Sequence, residues 1–121
     1  YEAYATGNSL KEALPLPKGN RQYTLVGSRS HMTAATELFF EEKKKEYGTV
    51  EVLTVGSSLK LCMVAEGKAD AYPRCAPTME WDTGAGHAIA LAAGFNVTQY
   101  NTTEPLVYNK VDLLNPWFLV S

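Results

Sequence analysis

The sequence predicts an α/β fold in which a layered, mixed β-sheet is flanked by helices. Three observations predict it. Short, β-prone apolar runs alternate with longer helical patterns in the order strand, helix, strand, helix, strand, helix, then short strands. Hydrophobic residues make up 45% and charged residues 20% of the 121 positions, the balance of one globular domain of ordinary size. The polar residues that stand out fall after strands or at helix starts, where open α/β sheets gather ligands.

The elements follow in order. Residues 1–20 read as an irregular lead-in, or as a link to a missing amino-terminal domain, because Leu14-Pro15-Leu16-Pro17-Lys18-Gly19-Asn20 suits neither a helix interior nor a central strand. Residues 21–121 read as the α/β domain proper. Tyr23 to Gly27 is short, apolar and β-prone, and ends in the polar turn Ser28-Arg29-Ser30-His31. A helix follows with Thr33 as N-cap, Glu37 early, Ala35, Leu38 and Phe39 on its apolar face, and Gly48 at its end. Its EEKKKE run places Glu41 and Lys45 at i,i+4 on a solvated face. Val50 to Val55 is the next strand, and Gly56-Ser57-Ser58 turns into a buried helix over Leu59 to Ala65, closed by Gly67. Ala69 to Tyr72 is extended and ends at Pro73. Trp81-Asp82 opens a helix from Thr83 to Ala93, closed by Gly94. Short extended pieces are expected at Asn96–Gln99 and Leu106–Tyr108, a turn at Asn115-Pro116, and a strand over Trp117 to Val120.

Bulk properties exclude several classes. A net charge of −2 lacks the basic excess of a surface that binds nucleic-acid polymers, so any anion site must be built by a few placed cations. No apolar run approaches the roughly 20 residues that span a bilayer, and no secretory leader pattern is visible. The two cysteines, Cys62 and Cys75, lack metal spacing and read as reduced thiols of a cytosolic protein, Cys62 as a small buried hydrophobe. Tyr1 rather than Met at the first position reads as a sign that the chain is a piece of something longer.

Candidate chemistry gathers at six positions. Asp82, at a helix start, reads either as an N-cap or as a carboxylate aimed into a cleft, where magnesium takes one or two protein oxygens with water and phosphate. Gly84 and Gly86 within that helix leave a bare surface for close packing or for a ligand. Lys60, near a helix start, reads as an ordinary surface lysine or as a phosphate ligand beside free N–H groups. Ser30 and His31 follow a strand, and Ser57 lies in the Gly-Ser-Ser turn. Arg74, after Pro73, presents a planar fork suited to phosphate. His87 reads as a packed structural histidine. No Ser-His-Asp arrangement, P-loop or zinc signature is present.

Together these pieces resemble a known pattern. WDTGAGHAIALAAG resembles the second signature of the inositol monophosphatase-like superfamily, roughly W-D-x-A-A-G, with Gly84 where alanine is usual. GSRSH at 27–31, GSSLKLCMVAEGKADAYPR at 56–74 and LLNPWFLVS at 113–121 narrow the resemblance to 3'(2'),5'-bisphosphate nucleotidases of the CysQ type. The resemblance implies the carboxy-terminal lobe of an αβαβα sandwich. It also implies a Mg2+-dependent, lithium-sensitive phosphatase of sulfur metabolism that converts adenosine 3',5'-bisphosphate to AMP. The implied location is cytoplasmic, with peripheral placement on the inner face of a bacterial membrane as a variant. By the same resemblance Asp82 is a metal ligand that also touches substrate, and Ser30, His31, Ser57, Lys60 and Arg74 contact the nucleotide and its non-scissile phosphate.

The family's first signature, D-P-x-D-G-T, is absent from these residues, as is the acidic helix that supplies a glutamate ligand. Two-metal hydrolysis needs several carboxylates. The expectation is therefore a carboxy-terminal portion with little activity alone, whose partners are a missing amino-terminal domain and the nucleotide, with self-association through an exposed apolar surface. Two other readings remain open: an inositol or sugar phosphate phosphatase of the same superfamily, and a nucleotide- or anion-binding module without chemistry.

Overall fold

The computed structural model describes residues 2–7, 10–28 and 30–121. Ahead of the sheet, β1 (Tyr4–Gly7) pairs antiparallel with β2 (Leu10–Ala13), in register Tyr4↔Ala13 to Gly7↔Leu10. The irregular lead-in expected over residues 1–20 is thus corrected at 4–7 and 10–13, while 14–20 contains neither helix nor strand. Each strand has four residues, too few for a period-two signal to emerge from Gly- and Lys-rich surroundings. The Pro-rich stretch after it is tied down from outside. Leu16 N–H donates to the Glu66 carbonyl at 2.9 Å. Lys18 and Arg21 both reach the Asp70 carboxylate, at 2.7 and 2.6 Å. Gly67 makes the close approach possible: its φ is +85°, and a Cβ there would lie 2.7 Å from the Leu16 carbonyl oxygen.

β3 (Tyr23–Gly27) and β4 (Val50–Thr54) run parallel, in register Tyr23↔Val50 to Gly27↔Thr54, and α1 (Ala34–Tyr47) makes the crossover that a parallel pair requires. Then come α2 (Leu59–Ala65), β5 (Tyr72–Arg74), α3 (Glu80–Ala92), β6 (Val97–Gln99) and β7 (Phe118–Val120). β7 lies between β5 and β6, antiparallel to both. A parallel bridge between Leu25 and Ala71, with Val26 N–H donating to the Ala71 carbonyl at 2.9 Å, joins the two groups of strands into one mixed sheet.

Successive residues of a strand face opposite sides, and β3 uses both. Val26 packs with Leu61 and Val64 of α2, Ala90 of α3, and Phe118 and Val120 of β7. Leu25 packs with Phe39 and Phe40 of α1 and with Ala71. Thus α1 covers one face of the sheet, and α2 with α3 covers the other. Each fully buried Leu, Val or Phe side chain contributes about 1.5–3 kcal/mol relative to exposure. Gly86 lets α3 approach α2: a Cβ there would lie 3.0 Å from Leu61 Cβ.

Several local expectations are corrected. Thr33 caps α1, accepting from Thr36 N–H at 3.3 Å, but the buried face is Thr36, Phe39 and Phe40, while Leu38 is exposed. Helical phase places 36, 39 and 40 together and turns 38 away from them. The ion pairs on α1 are Glu41–Lys44 and Lys43–Glu46 rather than Glu41–Lys45. Pro73 lies inside β5, opposite Leu119 of β7, rather than ending the extended piece; the bridge to β3 on its other side is at Ala71, ahead of it. Leu106–Tyr108 forms no strand, since only Pro105 bridges to Thr98. Asn115-Pro116 forms no turn, and the last strand begins at Phe118. Cys75 is the buried thiol and Cys62 is partly exposed; both are free. No helix among the described residues is long and apolar enough to cross a membrane.

Candidate functional site

The carboxyl ends of β3, β4 and β5 open onto one cavity of about 690 Å3. Ser28 follows β3, Val55 and Gly56 follow β4, and Arg74 ends β5, so the cavity lies where an α/β sheet offers strand ends to a ligand. Ser30, His31, Ser57, Lys60, Arg74 and Asp82 all line it. They come from loops and helices up to 52 positions apart (Ser30 to Asp82), brought together by the sheet order. Arg29, in the same polar turn, lies outside the described residues.

Asp82 does not cap α3. The N-cap is Met79, and Asp82 is the third helical residue, its Oδ2 accepting from Met79 N–H at 2.8 Å. This is the reciprocal half of a capping box, and it turns the carboxylate back over the helix start. Both sequence readings of Asp82 therefore hold in part: it satisfies a helix-start donor and still faces the cavity. Among the described residues only Met79 N–H donates to it, which leaves Oδ1 to the cavity. Trp81 stands beside it at the rim, 69% exposed.

Lys60 is the largest departure from a surface reading. It is 5% exposed, and its Nζ donates to the Val55 carbonyl at 3.3 Å. Burial, and then the neighbouring Arg74 guanidinium, lower its pKa from the ordinary lysine value. Arg74 reaches the Pro77 carbonyl at 3.4 Å through Nη2, and its Nε is buried without a hydrogen-bond partner. Among the described residues no carboxylate pairs with either cation. Two adjacent, partly desolvated cations without a counter-ion have the charge to suit an anion of high charge density. The charge lies in the side chains; α2 has only seven residues, so its dipole adds little.

The Gly56-Ser57-Ser58 turn bends sharply because Ser57 takes a left-handed φ of +57°. His31 is exposed, and its Nδ1 lies 2.9 Å from Ser30 Oγ and 3.3 Å from Ser28 Oγ. These contacts engage Nδ1 and leave Nε2 as the ring's other polar atom. His87 is buried and lies 2.7 Å from the Tyr108 hydroxyl, and burial lowers its pKa. Gly84 keeps its neighbourhood open, with Tyr108 Cε1 no nearer than 4.0 Å to a built Cβ. Sequence reasoning missed Tyr72, Thr78 and Thr83 as cavity residues. Only Thr83 carried a signal, its place next to Asp82.

A cation such as Mg2+ fits this donor set at one point. Asp82 offers one carboxylate oxygen, and among the described residues no three His, Cys, Asp or Glu side chains come together. Further ligands would have to come from other residues, water or a phosphate.

The fold and the cavity define an α/β protein with a cation-lined cavity at its strand ends, and the inositol monophosphatase family matches residues 5–117. The chain belongs to that family. It is 46% identical over 98 residues to the 3'(2'),5'-bisphosphate nucleotidase CysQ of Escherichia coli K12, covering 80% of this chain and 38% of that one. The CysQ of Salmonella typhimurium is 43% identical over 97 residues, with the same coverage. The crystal structure of CysQ from Bacteroides thetaiotaomicron superposes with a TM-score of 0.87 at 58% identity, over 92% of this chain and 41% of that one. Inositol monophosphatase II of Staphylococcus aureus shares the fold at a TM-score of 0.67 and 20% identity, over 98% of this chain and 45% of that one. The chain spans about two fifths of the length of the relatives it matches, 38% of the Escherichia coli protein.

Proposed function

We propose that these residues form the nucleotide-binding side of a Mg2+-dependent phosphatase that hydrolyses adenosine 3',5'-bisphosphate to AMP and inorganic phosphate. The observation that carries this reading is the adjacent Lys60–Arg74 pair, Lys60 buried and Arg74 half-buried, without a carboxylate counter-ion among the described residues, on the same cavity as Asp82. A bisphosphate nucleotide has two anionic groups to satisfy. Lys60 and Arg74 bind the non-scissile phosphate, Ser30, His31 and Ser57 contact the nucleotide, and Asp82 lies at the scissile group. The similarity to proteins named 3'(2'),5'-bisphosphate nucleotidase supports this substrate class.

Hydrolysis breaks the bond between phosphorus and the 3' oxygen and forms a bond from phosphorus to a water oxygen. When bound, Mg2+ offsets negative charge on the phosphoryl oxygens. Asp82 would hold it through Oδ1 while Met79 N–H fixes Oδ2. These 121 residues bring one carboxylate to the cavity among those described, so slow phosphate release is expected from them alone. The complementary partner is the remaining family length, with exposed Trp81 and Leu59 as apolar surface toward it or toward a second copy. Light scattering of these residues alone tests the self-association.

Phosphate release from adenosine 3',5'-bisphosphate and from inositol 1-phosphate, measured for the full-length protein with Mg2+, tests the substrate. Preference for the nucleotide supports the reading, and preference for inositol phosphate overturns it. Tight, metal-independent AMP binding by these residues without turnover in any form would favour a binding module instead.

A further inference from the structure

Behind Asp82, a polar cluster from distant parts of the chain grips the first turn of α3. Thr83 is 1% exposed, and its hydroxyl donates to the Glu80 carbonyl at 3.2 Å. The same hydroxyl accepts from Asn115 Nδ2 at 3.0 Å and from the Tyr108 hydroxyl at 3.3 Å. A hydroxyl has one proton and two lone pairs, so this one is fully engaged. Although Thr83 borders the cavity, it has no capacity left for a ligand. Asn115, 4% exposed, also donates to the Met79 carbonyl at 2.9 Å. Met79 is the residue whose N–H fixes Asp82 Oδ2. The residue that orients the carboxylate is thus itself held by Asn115, and Asn115 is held by Thr83. Glu80 anchors the loop that delivers Tyr108, accepting from Asn109 N–H at 2.8 Å and from the Lys110 side chain.

We propose that Thr83 and Asn115 are positioning residues that fix the direction of the Asp82 carboxylate toward the cavity. This rests on the phosphatase reading of Asp82 and adds that its aim depends on a network through residues 79, 83, 108 and 115. Buried groups that orient a ligating carboxylate commonly change metal affinity or activity 10–100-fold when removed.

The test uses the full-length protein and Thr83→Val, which keeps the shape and removes the hydroxyl, with Thr83→Ser as the conservative rescue and Asp82→Asn as reference. Tb3+ binding is read by luminescence sensitised through Trp81, and Mg2+ by its half-activating concentration. Thr83→Val is expected to raise the Tb3+ dissociation constant and the half-activating Mg2+ concentration each roughly tenfold, with little change in KM, and Thr83→Ser to restore both. If Thr83→Val does not fold, Tyr108→Phe keeps the ring and removes one donor, and a smaller shift in the same direction is expected. A lowered melting temperature with unchanged Tb3+ and Mg2+ responses would show a merely structural role and overturn the inference alone. Unchanged responses in Asp82→Asn would overturn both the inference and the phosphatase reading beneath it.

Discussion

Replacing Lys60 by methionine separates binding from stability. Methionine keeps a stem of similar length beside the Tyr72 ring while removing the ammonium. On the stability side, the hydrogen bond to Val55 is lost, a cost of about 1 kcal/mol. Against it stands relief of a 5%-exposed cation next to Arg74, and desolvating an unpaired charge costs several kcal/mol even after relaxation. The second effect is larger, so Lys60→Met is expected to stabilise the chain by about 1–2 kcal/mol in urea unfolding. On the binding side, a hydrogen bond to a charged group contributes about 1.5–3 kcal/mol, or roughly a 10- to 150-fold loss of affinity. AMP, assayed as a competitive inhibitor of the full-length protein, reads that loss. The gain in stability should also shrink as pH rises. The folded pKa of Lys60 lies below its ordinary 10.5, so the penalty of holding the charge is full below the folded value and fades toward 10.5. A Lys60→Met protein that is less stable, yet binds AMP unchanged, would refute the reasoning.

Gly86→Ala gains about 1 kcal/mol of helix propensity but forces a Cβ to 3.0 Å from Leu61 Cβ; overpacking costs about 1–3 kcal/mol, so a net loss of about 1 kcal/mol is expected in urea unfolding. His87 is buried with a pKa below its ordinary 6.5, so stability should be full above pH 6.5 and fall as pH drops from there toward the folded value. His87→Gln should flatten that slope, and identical slopes in both proteins would contradict it. Thr33→Ala removes the α1 cap and should cost about 1 kcal/mol, seen as a lower urea midpoint with an unchanged slope.

The sequence carries the parts of this fold that depend on neighbours in the chain. β3, α1, β4 and α2 are legible because a β-prone run, a cap at Thr33, a stop at Gly48 and a Gly-Ser-Ser turn are local signals. Their order also brings the six candidate residues to one cavity, since strand ends gather ligands. What depends on distant partners is not legible. Lys60 looks like a surface lysine until Val55 and Arg74 close around it. Asp82 at a helix start does not announce that Met79 will be the cap. The Thr83–Asn115 and Thr83–Tyr108 contacts join residues 32 and 25 positions apart, and nothing near Asn115-Pro116 marks a buried amide. The β1–β2 hairpin is lost for the opposite reason, being too short to leave a pattern.

The most direct test of the account is steady-state hydrolysis of adenosine 3',5'-bisphosphate by the full-length protein and its Asp82→Asn variant at saturating Mg2+. The account predicts release of AMP and phosphate, with a fall in kcat on the order of a hundredfold in the variant. Turnover by Asp82→Asn equal to that of the parent would contradict it.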